Sequence, residues 1–298
     1  MMNKRYIIDK LGAFLYQGPS WEVNPKLWRG GHADAPWRTG IAAFCYPEHR
    51  KKFLEFIKSC DNNGKFWRHP EHTKDDFSRD QYIMSVSALA IYEPESLEKF
   101  FKPKLKLSKR FNISPSLYFW RKLLSAKNKY AIKLHRFLYT ITSLINLNLN
   151  YFGWFLHRTL KFPKFLQKYI KTGKLRPPYF AFHLHSWMFF TAHKTGKIDM
   201  NGLLGKESIK QMEFLNKKVD SRNYLMELLL TNKSNTQEPY ISFPHKNITN
   251  FMWQNLVPWT RMSDHVRKKN RYENIFFNTM ENEDYYFSYD ILSSEIFN

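Results

Sequence analysis

The sequence predicts a mainly α fold, and three observations carry that expectation. Apolar residues recur at the spacing of one helix face in segment after segment. Glycine is scarce, 11 residues in 298, which leaves little material for the tight turns of a strand-rich fold. The one alternating stretch, Asn-Leu-Asn-Leu-Asn at 146–150, is short and flanked by helical patterns. Hydrophobic residues at 43% and aromatics at 17% supply a sizeable core, so 1–298 reads as a single domain.

Along the chain, the first helix start falls in Trp-Arg-Gly-Gly-His-Ala-Asp-Ala-Pro-Trp-Arg-Thr-Gly (28–40). Asp34 suits an N-cap, and Pro36 suits a first turn, where its missing N–H is not needed. Residues 48–60 set Phe53, Phe56 and Ile57 on one face and stop before Asp-Asn-Asn-Gly, a turn signal. Ser78-Arg79-Asp80-Gln81 fits a capping box that opens a helix over 78–93. Residues 117–145 predict one long or broken amphipathic helix with a basic face. Phe137 to Leu156 is uncharged and of membrane-crossing length. Its Asn146, Asn148 and Asn150 are costly in lipid, so a core helix followed by a loop is expected there. Residues 180–193 and 221–232 read as buried helices, and 281–298 is an acidic-aromatic stretch.

Charge divides the chain into thirds. The net charge is +21, and between Lys99 and Ile198 there is no Asp or Glu. The basic excess therefore lies in a basic, aromatic-rich region, 99–198, set within or inserted into the domain. Such an imbalance points to a polyanionic partner: an acidic polysaccharide, nucleic acid or an acidic protein surface. Lys122, Lys127, Lys129, Lys133 and Arg136, interleaved with aromatic residues, are the candidate contacts. A peripheral contact with an anionic membrane is the less favoured use of the same block.

Several classes are disfavoured. Two cysteines make neither a disulfide framework nor a zinc site. No P-loop, dinucleotide-binding, nucleophile-elbow or metalloprotease motif occurs, and no cofactor or metal is expected. Residues 1–10 hold no apolar stretch of signal-peptide length. A cytoplasmic or virion-associated location is the expectation.

Three polar clusters are candidates for chemistry. In 28–40, Trp37 and Arg38 beside Asp34 suit stacking and hydrogen bonding to a sugar or base. In His-Pro-Glu-His-Thr-Lys-Asp-Asp-Phe-Ser-Arg-Asp-Gln-Tyr (69–82), the helix start explains Asp80 but not His69, His72, Asp76 and Arg79. A histidine beside a carboxylate there would serve as an acid–base pair. In Phe-His-Leu-His-Ser-Trp (182–187), His183 and His185 lie two apart. They would diverge on a helix, so that one faces a cavity while the other packs, and they read chiefly as core histidines.

Asp-Ala-Pro-Trp-Arg-Thr-Gly-Ile-Ala-Ala-Phe (34–44) followed by the stretch 75–92 resembles helical toroids of the six-hairpin (α/α) type. Residues 179–190 and 221–230 are similar to uncharacterised phage-encoded proteins of that kind, while the basic block departs from the pattern. The resemblance implies a ring of paired helices around a polar funnel, and hence a helical-hairpin (α/α) toroid-like or irregular all-α domain. It further implies a carbohydrate-active hydrolase or lyase acting on an acidic polysaccharide. Asp34 and Asp80 would be general acid and base with His69 and His72 beside them. Trp37, Arg38, Trp67, Asp76, Arg79 and His183 would bind substrate. The alternative is a non-enzymatic phage or virion-associated protein whose basic middle third binds nucleic acid or an acidic protein surface. Fold alone does not choose between them.

Overall fold

The computed structural model describes residues 6–16, 35–62, 65–71, 79–102, 115–159 and 178–210. Helices dominate them, so the mainly α expectation holds. In chain order these are α1 (Ala35–Cys45), α2 (Arg50–Ser59), α3 (Arg79–Tyr92), α4 (Pro94–Lys99), α5 (Pro115–Ser125), α6 (Lys129–Thr159) and α7 (Pro178–Lys194). Residues 203–210 are also helical.

Two short antiparallel hairpins accompany the helices, β1 (Tyr6–Ile8) with β2 (Phe14–Tyr16) and β3 (Asp61–Asn62) with β4 (Lys65–Phe66). The second hairpin follows α2, and Asn-Gly, a hairpin-turn signal, stands between its strands in the sequence. The first is pinned to α1, where the Phe14 N–H donates to Thr39 Oγ1 at 2.8 Å.

Helix α1 packs against α2 and α3, α3 against α7, and α7 against α5 and α6. Small residues decide the α1–α3 contact. A β-carbon added at Gly40 would fall 2.8 Å from Met84 Cβ and 3.0 Å from the Met84 carbonyl. Only glycine permits that approach, which brings the fully buried Ala42, Ala43, Ser85 and Ala88 of the two helices into the core. Trp120 Nε1 of α5 donates to the Met188 carbonyl of α7 at 2.8 Å, and Thr191 Oγ1 of α7 lies 2.7 Å from Ser87 Oγ of α3. Polar links thus tie α7 to both α5 and α3. The helix ends at Gly196 (φ +67°), with the Gly196 N–H donating to His193 O and the Lys197 N–H to Ala192 O. That bond pair defines a Schellman stop, which needs a left-handed residue.

The predicted helix over 117–145 is broken. It divides at 126–128, where Asn128 Oδ1 accepts from the Tyr130 N–H at 2.8 Å and caps α6. Helices α5 and α6 then fold back on one another, with Asn146 Nδ2 donating to Ser116 Oγ at 2.6 Å. The loop expected within 137–156 is not there. Helix α6 runs unbroken for 31 residues, about 46 Å at helical rise. Two of its asparagines are accommodated: Asn146 bonds across to α5, and Asn148 Nδ2 donates to the Leu144 carbonyl at 2.8 Å. Among the described residues, no helix is long and apolar enough to cross a membrane.

Candidate functional site

The described feature with the least internal explanation is the outer face of α6. Its inner face is covered: Tyr139, Ser143 and Leu147 are fully buried toward the core. Its outer face carries Tyr130, Leu134, Phe137, Ile141 and Ile145, at 80%, 54%, 61%, 40% and 53% exposure. The steps between them are those of a single helix face. A helix with apolar rows on two sides ordinarily has both sides covered.

A basic row runs beside that apolar row. Lys129, Lys133 and Arg136 immediately precede Tyr130, Leu134 and Phe137, so the rows lie about 100° apart around the helix. All three cations are exposed, and no described residue supplies them a carboxylate within 4 Å. Neighbouring groups register the excess positive charge. The His135 imidazole is pushed down by burial first and then by Lys122. The Lys197 ammonium is pushed down by burial first and then by Arg136. Two members of the expected basic contact set behave differently. Lys127 is engaged by Glu98 at 2.8 Å, and Lys122 reaches over the Tyr118 ring, 5.7 Å from its centroid. Arg121, within the same basic stretch, turns inward and is buried.

Of the residues predicted for catalysis and substrate binding, several are described. His69 has no exposed surface, and its Nε2 lies 2.9 Å from Asp9 Oδ2. The Glu71 N–H donates to His69 Nδ1 at 3.2 Å, so Nε2 carries the proton given to Asp9. Asp9 Oδ1 accepts from the Leu11 and Ala13 N–H groups at 2.9 and 2.7 Å. This pair staples the β1–β2 turn to the segment after β4, with the histidine fully buried. Beside it Cys60 is a free, buried thiol, pushed well up by burial and then by the Asp9 carboxylate. A thiol so disposed is not a nucleophile.

Trp37 is buried edge-on to Trp187, with ring centroids 6.4 Å apart, and Arg38 is buried as well. Trp67 and Arg79 are half-buried, and the Trp67 N–H donates to Cys60 O at 2.7 Å. Asp34, His72 and Asp76 lie outside the described residues, as do the Ser78 cap, the expected helix 221–232 and the stretch 281–298. Asp80 and His183 fall on α3 and α7, with side chains that are likewise outside. Among the described residues, no group of His, Cys, Asp and Glu could hold a metal ion.

A second polar feature lies between α6 and α7. His185 stacks on Tyr139, centroids 6.3 Å apart, one turn from Ser143. His185 Nε2 is buried with no hydrogen-bond partner among the described residues. Burial pushes the Tyr139 phenol well up and holds the His185 imidazole down to about 4. His185 is therefore a core histidine, as its spacing suggested, and it is carried neutral. Below the ordinary histidine value of about 6.5, the unfolded chain takes up a proton here that the folded chain refuses. Stability is expected to fall between about pH 6.5 and pH 4, by at most about 3 kcal/mol, and to level off at this site below that. Urea midpoints across this window, for wild type and His185→Gln, check it. The acid-dependent loss should shrink in the variant, and an unchanged loss would assign it to other groups.

Compared with known proteins, the sequence matches no family model, no curated protein and no solved structure.

Proposed function

We propose that this chain is a binding protein that docks an acidic, apolar-bearing protein segment along the outer face of α6. The observation that carries the reading is the pairing of two rows on one helix. Exposed Lys129, Lys133 and Arg136 run beside exposed Tyr130, Leu134, Phe137, Ile141 and Ile145. Cations give steering and register, while desolvated aromatic and aliphatic anchors give affinity. Nucleic acid would use the cations and stack on Tyr130 and Phe137, but it gains nothing from Leu134, Ile141 and Ile145. An amphipathic protein helix uses both rows.

The carbohydrate reading has less support. Of its residues, His69, Trp37 and Arg38 are built into the core. It rests on Asp34 and Asp80 meeting in a toroid-like funnel, and the side chains of both lie outside the described residues.

The test is fluorescence anisotropy with an acidic helical peptide bearing Glu and heptad-spaced Leu. Duplex DNA and phosphatidylserine vesicles serve as the other arms. The triple variant K129E/K133E/R136E is expected to weaken peptide binding at least about tenfold, each rim charge contributing roughly 0.5 kcal/mol. Phe137→Ser is expected to weaken it comparably, because a central aromatic anchor is lost. DNA or vesicles that bind more tightly than the peptide, with no response to Phe137→Ser, would overturn the reading.

A further inference from the structure

Resting on that reading, we infer that residues 281–298 of the same chain are an internal competitor for the α6 face. The stretch Glu-Asn-Glu-Asp-Tyr-Tyr-Phe-Ser-Tyr-Asp-Ile-Leu-Ser-Ser-Glu-Ile-Phe-Asn holds five acidic residues and no Lys or Arg. Its charge is opposite to that of the row formed by Lys129, Lys133 and Arg136.

The apolar spacing matches as well. Tyr285, Tyr289, Leu292 and Ile296 are separated by steps of four, three and four residues. Tyr130, Leu134, Phe137 and Ile141 on α6 are separated by the same steps. Such a 4-3-4 pattern is the seam of two helices packed side by side, knobs into holes. Asp284 and Glu295 directly precede Tyr285 and Ile296, just as the α6 cations directly precede its apolar residues. A seam with a flanking acidic row thus meets a seam with a flanking basic row.

Reach and concentration favour an occupant from the same chain. Described structure ends at Lys210, and the residues from 211 to 280 can extend well beyond the length of α6. A tethered segment acts at a raised effective concentration, so a modest intrinsic affinity is sufficient. No described residue forms an ion pair with the α6 cations, which leaves them open to an acidic partner. An acidic partner would then have to displace 281–298, and the chain would limit its own binding until it does.

The experiment uses the full chain with the photo-crosslinker benzoylphenylalanine in place of Phe137. The expected product is an adduct within one chain that maps to 281–298. An adduct that maps elsewhere, or that forms only between chains, overturns the inference. Reversing the acids (E281K/E283K/D284K/D290K/E295K) is expected to abolish the adduct, and adding K129E/K133E/R136E is expected to restore it. On the native α6 face, the acid-reversed protein should also bind the acidic helical peptide about tenfold more tightly, because the competent fraction rises. If the peptide binds wild type and acid-reversed protein equally, the competition is refuted and the docking face stands. If the peptide binds neither, the docking face itself is refuted, and the inference with it.

Discussion

Trp187→Ala is expected to destabilise the protein by about 4 kcal/mol, the upper range for deleting a large buried ring. Trp187 has no exposed surface. Its ring is met by Trp37 at 6.4 Å and Phe44 at 5.5 Å from α1, and by Phe190 at 5.7 Å from its own helix. Those contacts make it the anchor of α7 against α1, and alanine would leave a cavity that rigid flanking helices cannot close. The indole N–H has no hydrogen-bond partner among the described residues, so the loss is one of packing. Trp187→Phe keeps most of the ring contacts, discards the orphaned donor, and should cost under about 1.5 kcal/mol. Urea unfolding of both variants checks the pair. A cost below about 1 kcal/mol for alanine would mean that α7 does not seat as described. Total stabilities are only about 5–15 kcal/mol, so the alanine variant should also show a marked loss of soluble yield.

Which parts of this arrangement were legible in the sequence follows from the range of the interactions. Helices α2, α3 and α7 were legible because their periodicity and end signals are local: Phe53, Phe56 and Ile57 on one face, and Asp-Asn-Asn-Gly beyond. The α5–α6 break was less so, because apolar spacing continues across it and only the Asn128 cap decides it. The loop expected after Phe137 failed for an opposite reason. Asn146 and Asn148 argue against a helix by propensity, but Ser116 on another helix and the Leu144 carbonyl satisfy them.

The site shows the same division. His69 looked like part of a local cluster with His72 and Asp76, yet its partner is Asp9, sixty positions earlier. No pattern in 69–82 points there. The two rows on α6 are present in the sequence as Lys-Tyr, Lys-Leu and Arg-Phe pairs at helical intervals. Their exposure is not, because α6 is apolar on both sides and periodicity cannot say which side faces inward. Net charge misled in one place. Arg121 counts toward the basic block, but it is a buried structural residue.

That burial sets the second large expected effect: Arg121→Leu should cost about 3 kcal/mol. The Arg121 guanidinium donates to the Leu97 carbonyl and, at 3.4 Å, to the Phe100 carbonyl, and also to Ser125 Oγ. Leu97 and Phe100 lie at the end of α4, where helical carbonyls have no partners of their own. One planar, forked donor therefore closes α4 and fastens it to α5. Leucine would fill much of the volume but leave buried carbonyls unpaired, at about 1–3 kcal/mol each.

Arg121→Lys should recover under half of the loss, because a single ammonium cannot span divergent acceptors in place of the fork. The Tyr82 phenol supplies a second readout. Burial pushes it up to about 12 against an opposing pull from Arg121, so removing that cation should raise its spectrophotometric titration further. Lys122→Leu, one position along and exposed, should change stability by under about 0.5 kcal/mol. If Arg121→Leu proves equally mild and leaves Tyr82 unmoved, the clamp is refuted. If the losses appear as stated, the rigid seating of α5, and with it the presentation of α6, depends on a charge turned away from solvent.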